Sequence, residues 1–263
     1  MRAVILAAAG LTLTGLALPQ LAGGTQPAPR PAALPTPSPS APAPSLTPSP
    51  SASPSPSSPP APVTALAGLV PRAGAGTFQT GVEGGPVFGR SGALHRYRVA
   101  VENGSGEDVR AFAAAVDAAL GDPRSWIAGG RRLQRVPNGA PHEFTVFLAT
   151  PETALRMCAA GGVNIRVGGR PYTSCRTSGK VIINLERWRK SIPDYVTAGA
   201  LLDTYRAYVV NHEVGHQLGH RHERCPGPGR PAPVMMQQTL GLNGCVAHPW
   251  PYLNGRRYAG PLK

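Results

Sequence analysis

Acidic residues are scarce in this chain. Thirteen Asp and Glu stand against 26 Lys and Arg, and the first acid is Glu83. Beyond Arg30 the imbalance leaves a net charge of +11, from 24 basic and 13 acidic side chains. Such an excess favours a polyanionic neighbour: an acidic cell-envelope polymer, an anionic membrane surface or an acidic substrate. The basic residues, nearly all Arg, are scattered and form no dense run. No nucleic-acid partner is therefore expected. Aromatic residues make up only 6% of the chain, so its core must rest mainly on Ala, Val, Leu and Ile. No internal repeat is visible, which argues against a repeat architecture.

Cysteine is also sparse, and the spacing of the four residues is informative. No two of Cys158, Cys175, Cys225 and Cys245 have a C-x₂₋₄-C spacing, which argues against a Cys-ligated zinc site. An even number in an exported chain suggests two disulfides, with three possible connectivities. The sequential pairing Cys158–Cys175 and Cys225–Cys245 is favoured. Each loop, about 15–20 residues long, would stabilise the fold by roughly 3 kcal/mol through the unfolded state.

Only one long apolar run exists. It spans 3–18, directly after Met1-Arg2, and reads as a secretory signal over 1–22 that ends at Ala17 or Ala22. A retained signal anchor is the alternative, since about 16 apolar residues fall just short of a comfortable membrane span. Both readings place the remainder outside the membrane, secreted or tethered. Residues 27–62 are almost entirely Pro, Ser, Ala and Thr. Such a stretch cannot bury enough apolar area to order itself, so 23–70 reads as a disordered linker of polyproline character. One folded domain is expected over 71–263, beginning between 63 and 77.

Within that domain, 78–82 and 93–102 read as strands around a Gly-rich turn, and 107–120 as an Ala-rich helix stopped by Gly121-Asp122-Pro123. A strand follows at 144–149. Thr150-Pro151-Glu152 then reads as an N-cap, N1 proline and first-turn acid opening a helix to about 160. Another buried strand is expected at 181–185. A long helix over 197–219 places Leu201, Leu202, Tyr205, Val209, His212 and His216 on one broad face, with Val210 and Val214 opposite. A helix apolar on two sides is central and buried.

That helix carries the decisive stretch, His212-Glu213-Val214-Gly215-His216-Gln217-Leu218-Gly219-His220-Arg221-His222. His212 and His216, four residues apart on one face, can converge on a single Zn²⁺ ion. His220 could not join them on a continuing helix, because eight residues rise about 12 Å. Gly219 can take the left-handed conformation that ends a helix, letting His222 return as third ligand. Three protein ligands leave an open position for water, the pattern of a catalytic zinc. Glu213, beside the first ligand, would take a proton as general base. The reaction class implied is amide hydrolysis with one zinc per chain, on a peptide or protein substrate.

The spacing H-E-x-x-H-x-x-G-x-x-H resembles the metzincin clan of zinc endopeptidases. The stretches 211–225, PGPGRPAPVMMQQTLGLNGC and HPWPYLNG further resemble a secreted actinobacterial family described as zinc peptidases. The clan resemblance implies an α+β fold: a twisted mixed sheet, a central active-site helix and an irregular C-terminal subdomain with a methionine turn. Met235 of Pro233-Val234-Met235-Met236 is the candidate for that turn. Two departures stand out. Position 237 is Gln237 where several clan members place a tyrosine, so no oxyanion donor is assigned. No cysteine precedes Cys158, which excludes latency by a propeptide thiolate. A zinc-dependent cell-wall amide hydrolase, or an envelope module that holds zinc without turnover, are the rival readings. His95, His142 and His248 are isolated and are not taken as ligands. Asn103-Gly104-Ser105 is read as a turn.

Overall fold

A computed structural model describes residues 63–263. The expected signal and residues 23–62 of the expected linker lie outside the described residues. Residues 63–70 sit on the domain. Leu202 N donates to Val63 O at 2.8 Å, and Leu66 N donates to Arg189 O at 2.8 Å.

In chain order the strands and helices are β1 (Phe78–Thr80), β2 (Val87–Phe88), β3 (Ala93–Glu102), α1 (Val109–Gly121), β4 (Arg131–Arg135), β5 (Phe144–Ala149) and α2 (Pro151–Ala160). There follow β6 (Arg166–Val167), β7 (Arg170–Pro171), β8 (Cys175–Thr177), β9 (Lys180–Asn184), α3 (Leu185–Lys190), α4 (Pro193–Thr197) and α5 (Leu202–Gln217). The small hairpin of β10 (Tyr252–Leu253) and β11 (Arg256–Arg257) comes last.

The main sheet runs β2-β4-β3-β5-β9-β8, with β1 also on β3. Its centre is parallel, β4-β3-β5-β9, while β1, β2 and β8 pair antiparallel. This is a mixed sheet in an α+β domain, as the sequence suggested.

Alternation along the strands sorts the apolar residues to two faces. Val146 and Leu148 of β5, with Val181 and Ile183 of β9, join the core that contains α1 and α5. Phe147, Ala149 and Ile182 face Ala154, Leu155 and Cys158 of α2 on the other side. Helix α1 buries Val109, Phe112, Ala113, Val116 and Leu120, a helical stripe, and its N-cap Asp108 accepts from Ala111 N.

The long helix expected over 197–219 is shorter. Residues 193–197 form the separate α4, Gly199 has φ +65°, and α5 begins only at Leu202. Leu201 is consequently a half-exposed N-cap residue rather than part of the buried face. A left-handed glycine in mid-pattern breaks a helix that apolar periodicity alone would continue. The 78–82 strand likewise stops at Thr80. Strand β4, rich in Arg, and edge strand β8, with Arg176 and Thr177, escaped the periodicity reading.

Thr150 does precede α2, but its side chain does not cap the helix. Its hydroxyl donates instead to Glu102 Oε2 at 2.8 Å, and its amide donates to the same oxygen at 2.7 Å. Glu102 is 1% exposed and also accepts from Gly76 N at 2.9 Å and Thr153 Oγ1 at 2.6 Å. One buried carboxylate thus joins the end of β3, the start of α2 and the incoming chain. Glu102→Ala strands these donors, so chemical denaturation should show a loss of about 3 kcal/mol. Glu102→Gln, which keeps one acceptor oxygen, should lose less.

Candidate metal centre

Helix α5 is buried almost throughout, from Tyr205 to Gly215. Its placement depends on Asn211, fully buried one residue before His212. Asn211 Oδ1 accepts from Ser125 Oγ at 2.7 Å, its Nδ2 donates to Ala207 O at 3.0 Å, and its carbonyl accepts from Trp126 Nε1 at 2.9 Å. Gly215 is required by contact. A Cβ there would lie 2.4 Å from Met235 Sδ and 2.6 Å from Trp126 Cζ2. Trp126 and Met235 therefore press directly on the helix backbone between the two histidines.

The helix ends in a left-handed glycine turn. Gly219 has φ +93°, its N–H donates to His216 O at 3.1 Å, and His220 N donates to Gly215 O at 2.9 Å. This pair of bonds is the Schellman pattern, which satisfies terminal carbonyls while reversing the chain. The reversal carries His222 back until its Nε2 is 2.9 Å from His216 Nε2. Ligand atoms of His212, His216 and His222 all lie within 4.8 Å of one another. Nitrogens on one tetrahedral ion are about 3–4 Å apart, so this set fits a single metal.

Two of the rings are fixed through their other nitrogen. His212 Nδ1–H donates to Val234 O at 2.8 Å, and His216 Nδ1–H donates to His220 O at 2.9 Å. Such bonds set the tautomer and aim Nε2 inward. Burial, helped by the neighbouring imidazoles, pushes His212 down to about 3 and His222 down to about 4. Both are therefore neutral near pH 7, the form that takes up metal. His220 is not in the cluster. Its ring stacks on Trp126 at 4.3 Å between centroids. His95, His142 and His248 also lie outside it.

Glu213 is 5% exposed and lines the same cleft, about 580 Å³ in volume. Burial pushes its carboxyl up to about 8. The cleft is bordered by Arg176 of β8 and, from the C-terminal region, by Gln237, Leu240 and Lys263.

That region is irregular but well tied. The disulfides are Cys158–Cys175 and Cys225–Cys245, and the second closes a loop that encloses Met235. They suit an oxidising, extracellular compartment. Met236 N donates to Pro233 O at 2.9 Å, closing a tight turn through Val234 and Met235. Tyrosines of α4 and α5 hold the following stretch. Tyr208 Oη donates to Met236 O at 3.1 Å, and Tyr205 Oη bonds Thr239 Oγ1 at 2.9 Å, while Tyr195 Oη donates to Gln238 Oε1. Segment 222–224 then runs between 235–236 and 261–263, with Glu223 N donating to Met235 O and Lys263 N to His222 O.

A family profile described as "Protein of unknown function (DUF3152)" matches residues 65–252. The chain belongs to this family. The DUF3152 match takes in the three histidines, Glu213, Met235 and all four cysteines, and ends before the last segment, 253–263. No curated protein and no solved structure matches the chain. Among the described residues, no helix is long and apolar enough to cross a membrane.

Asn211, Gly215 and Trp126 position the DUF3152 cluster without being legible as site residues. The one hint was Asn211 itself, a polar residue directly before the motif on a helix buried on two sides.

Removing any of the three histidines should leave the protein close to metal-free after zinc loading and dialysis, whereas His220→Ala should retain one ion. Elemental analysis of the four variants reads this directly. A second expectation concerns pH. Glu213 titrates near 8 when folded and near 4.5 when unfolded, so its contribution is intact below 4.5 and is lost as pH rises through 8. Glu213→Gln should thus raise the melting temperature of metal-free protein at pH 8.5, with little gain at pH 4.5.

Proposed function

We propose that this protein is a zinc-dependent peptidase working outside the reducing cytosol, secreted or tethered through its N-terminal segment. The observation that carries the reading is the convergence of His212, His216 and His222 in one cleft with Glu213 beside them. Three neutral imidazoles on a rigid scaffold match the donor set and ligand number that zinc takes in catalytic sites. Bound there, zinc would act as a Lewis acid, polarising a carbonyl and acidifying water.

The chain's own residues supply the rest. His212 and His216 are locked by backbone carbonyls, so they serve as ligands and not as acid–base groups. The positive charge of zinc would favour the ionised form of Glu213, which would then accept a proton from the attacking water and return it to the leaving amine. A buried carboxylate that no ligand role requires supports turnover over mere metal storage. The turn at Val234–Met235 fits the role of a methionine turn, its carbonyl steadying His212 and its thioether packing under Gly215. The substrate is a peptide or protein, and the basic surface suits acidic envelope polymers nearby.

Peptide-library cleavage by zinc-loaded protein tests the proposal. Glu213→Gln at matched zinc occupancy should lose about 10²–10⁴-fold in turnover. A Gln variant with full zinc that cleaves as fast as the parent would refute the mechanism, and a parent inert on every peptide pool would refute the substrate class.

A further inference from the structure

Hydrolysis of an amide places negative charge on the carbonyl oxygen, and that charge needs a donor besides the metal. Three cationic side chains line the cleft, Arg176, Arg221 and Lys263, and the carboxylate among its lining residues is Glu213. Two hydroxyls there are already engaged. Tyr208 Oη donates to Met236 O and accepts from Thr239 N, while Thr239 Oγ1 is shared with Tyr205. The His220 ring is stacked on Trp126.

The cations differ in how they are held. Arg176 Nε donates to Gln217 Oε1 at 2.8 Å, which draws it to the end of α5. Arg221 and Lys263 are both exposed, and Arg221 stands just after the left-handed turn. Lys263 is anchored twice. Its amide donates to His222 O at 3.0 Å, so the main chain is pinned to the third ligand. Its Nζ donates to Gln237 Oε1, directly after the turn that supports His212. The ammonium is thereby held between the two segments that border the metal cluster.

We propose that the Lys263 ammonium donates to the oxyanion during peptide hydrolysis, with Gln237 as its positioning residue. The proposal rests on the peptidase reading above. As water oxygen bonds to the carbonyl carbon, the C=O π pair moves onto oxygen and Glu213 takes the water's proton. Lys263 donates a hydrogen bond to that oxygen and keeps its own proton. When the C–N bond breaks, the pair returns to re-form C=O, and the amine leaves with the proton from Glu213. An ammonium has three donors, so Lys263 can keep Gln237 and still meet the oxyanion.

The test uses the full chain with zinc content measured in every sample. Lys263→Met should lower kcat roughly 10²-fold with little change in KM, the signature of an interaction made only in the transition state. Lys263→Arg should recover part of the loss, and Gln237→Leu should show a smaller loss of the same kind. Independently of turnover, calorimetry should show a phosphinic peptide, a tetrahedral anion, bound more weakly by Lys263→Met by a similar factor. A Met variant with full zinc and the parent's kcat and phosphinate affinity overturns the proposal, as does a rise in KM alone. If the parent and Glu213→Gln turn over alike, the peptidase reading has failed. The calorimetric comparison then decides whether Lys263 meets an anionic oxygen in the cleft.

Discussion

Three imidazole nitrogens must meet within a few ångströms, and two of them stand on one helix whose position leaves little slack. That convergence is the constraint the domain is built around. An i,i+4 pair fixes the direction of approach but not the place of the helix, which is set from behind and from both ends. Trp126 and Met235 press on the bare backbone at Gly215, Asn211 ties the helix to the turn after α1, and a tyrosine cluster fastens it to the C-terminal loop. Each contact is made by a group with no part in the proposed chemistry. A loosened second layer would misplace the ligands without touching them.

The same burial that fixes the helix sets the character of Glu213. A carboxylate removed from water costs stability unless paired, and no ligand duty explains its presence. A buried ionisable group that lowers stability once it ionises is a common mark of a functional residue. The scarcity of acidic residues sharpens the contrast. With 13 in the chain, a carboxylate in the cleft is not a by-product of composition.

How much was legible depended on how local the signal was. The motif needed only one helix and one glycine, so its residues and even the exclusion of His220 followed from rise and reversal. Strands such as β5 showed as short apolar runs, and the sequential disulfides were the favoured one of three pairings. What escaped depends on distant partners. Glu102 and Thr150 are 48 residues apart, and nothing local shows that a capping threonine will turn to a buried acid instead. The break between α4 and α5 hid because Gly199 interrupts a pattern that periodicity continues across. The need for glycine at position 215 shows only in the two side chains that rest on it. The Arg-bearing edge strand β8 is held by its neighbours, not by its own apolar content.

The left-handed turn at Gly219 divides the ligand set by origin. Two members are ready as soon as α5 is seated, while the third lies on a segment paired on one side with the Met235 turn and on the other with 261–263. Full coordination therefore waits on parts of the chain that close last in sequence and are cross-linked by Cys225–Cys245. A chain truncated or misjoined after His222 would offer an ion only a two-toothed grip, and the finished domain would close the third. In the proposed reading, metal retention would report on assembly of the finished domain.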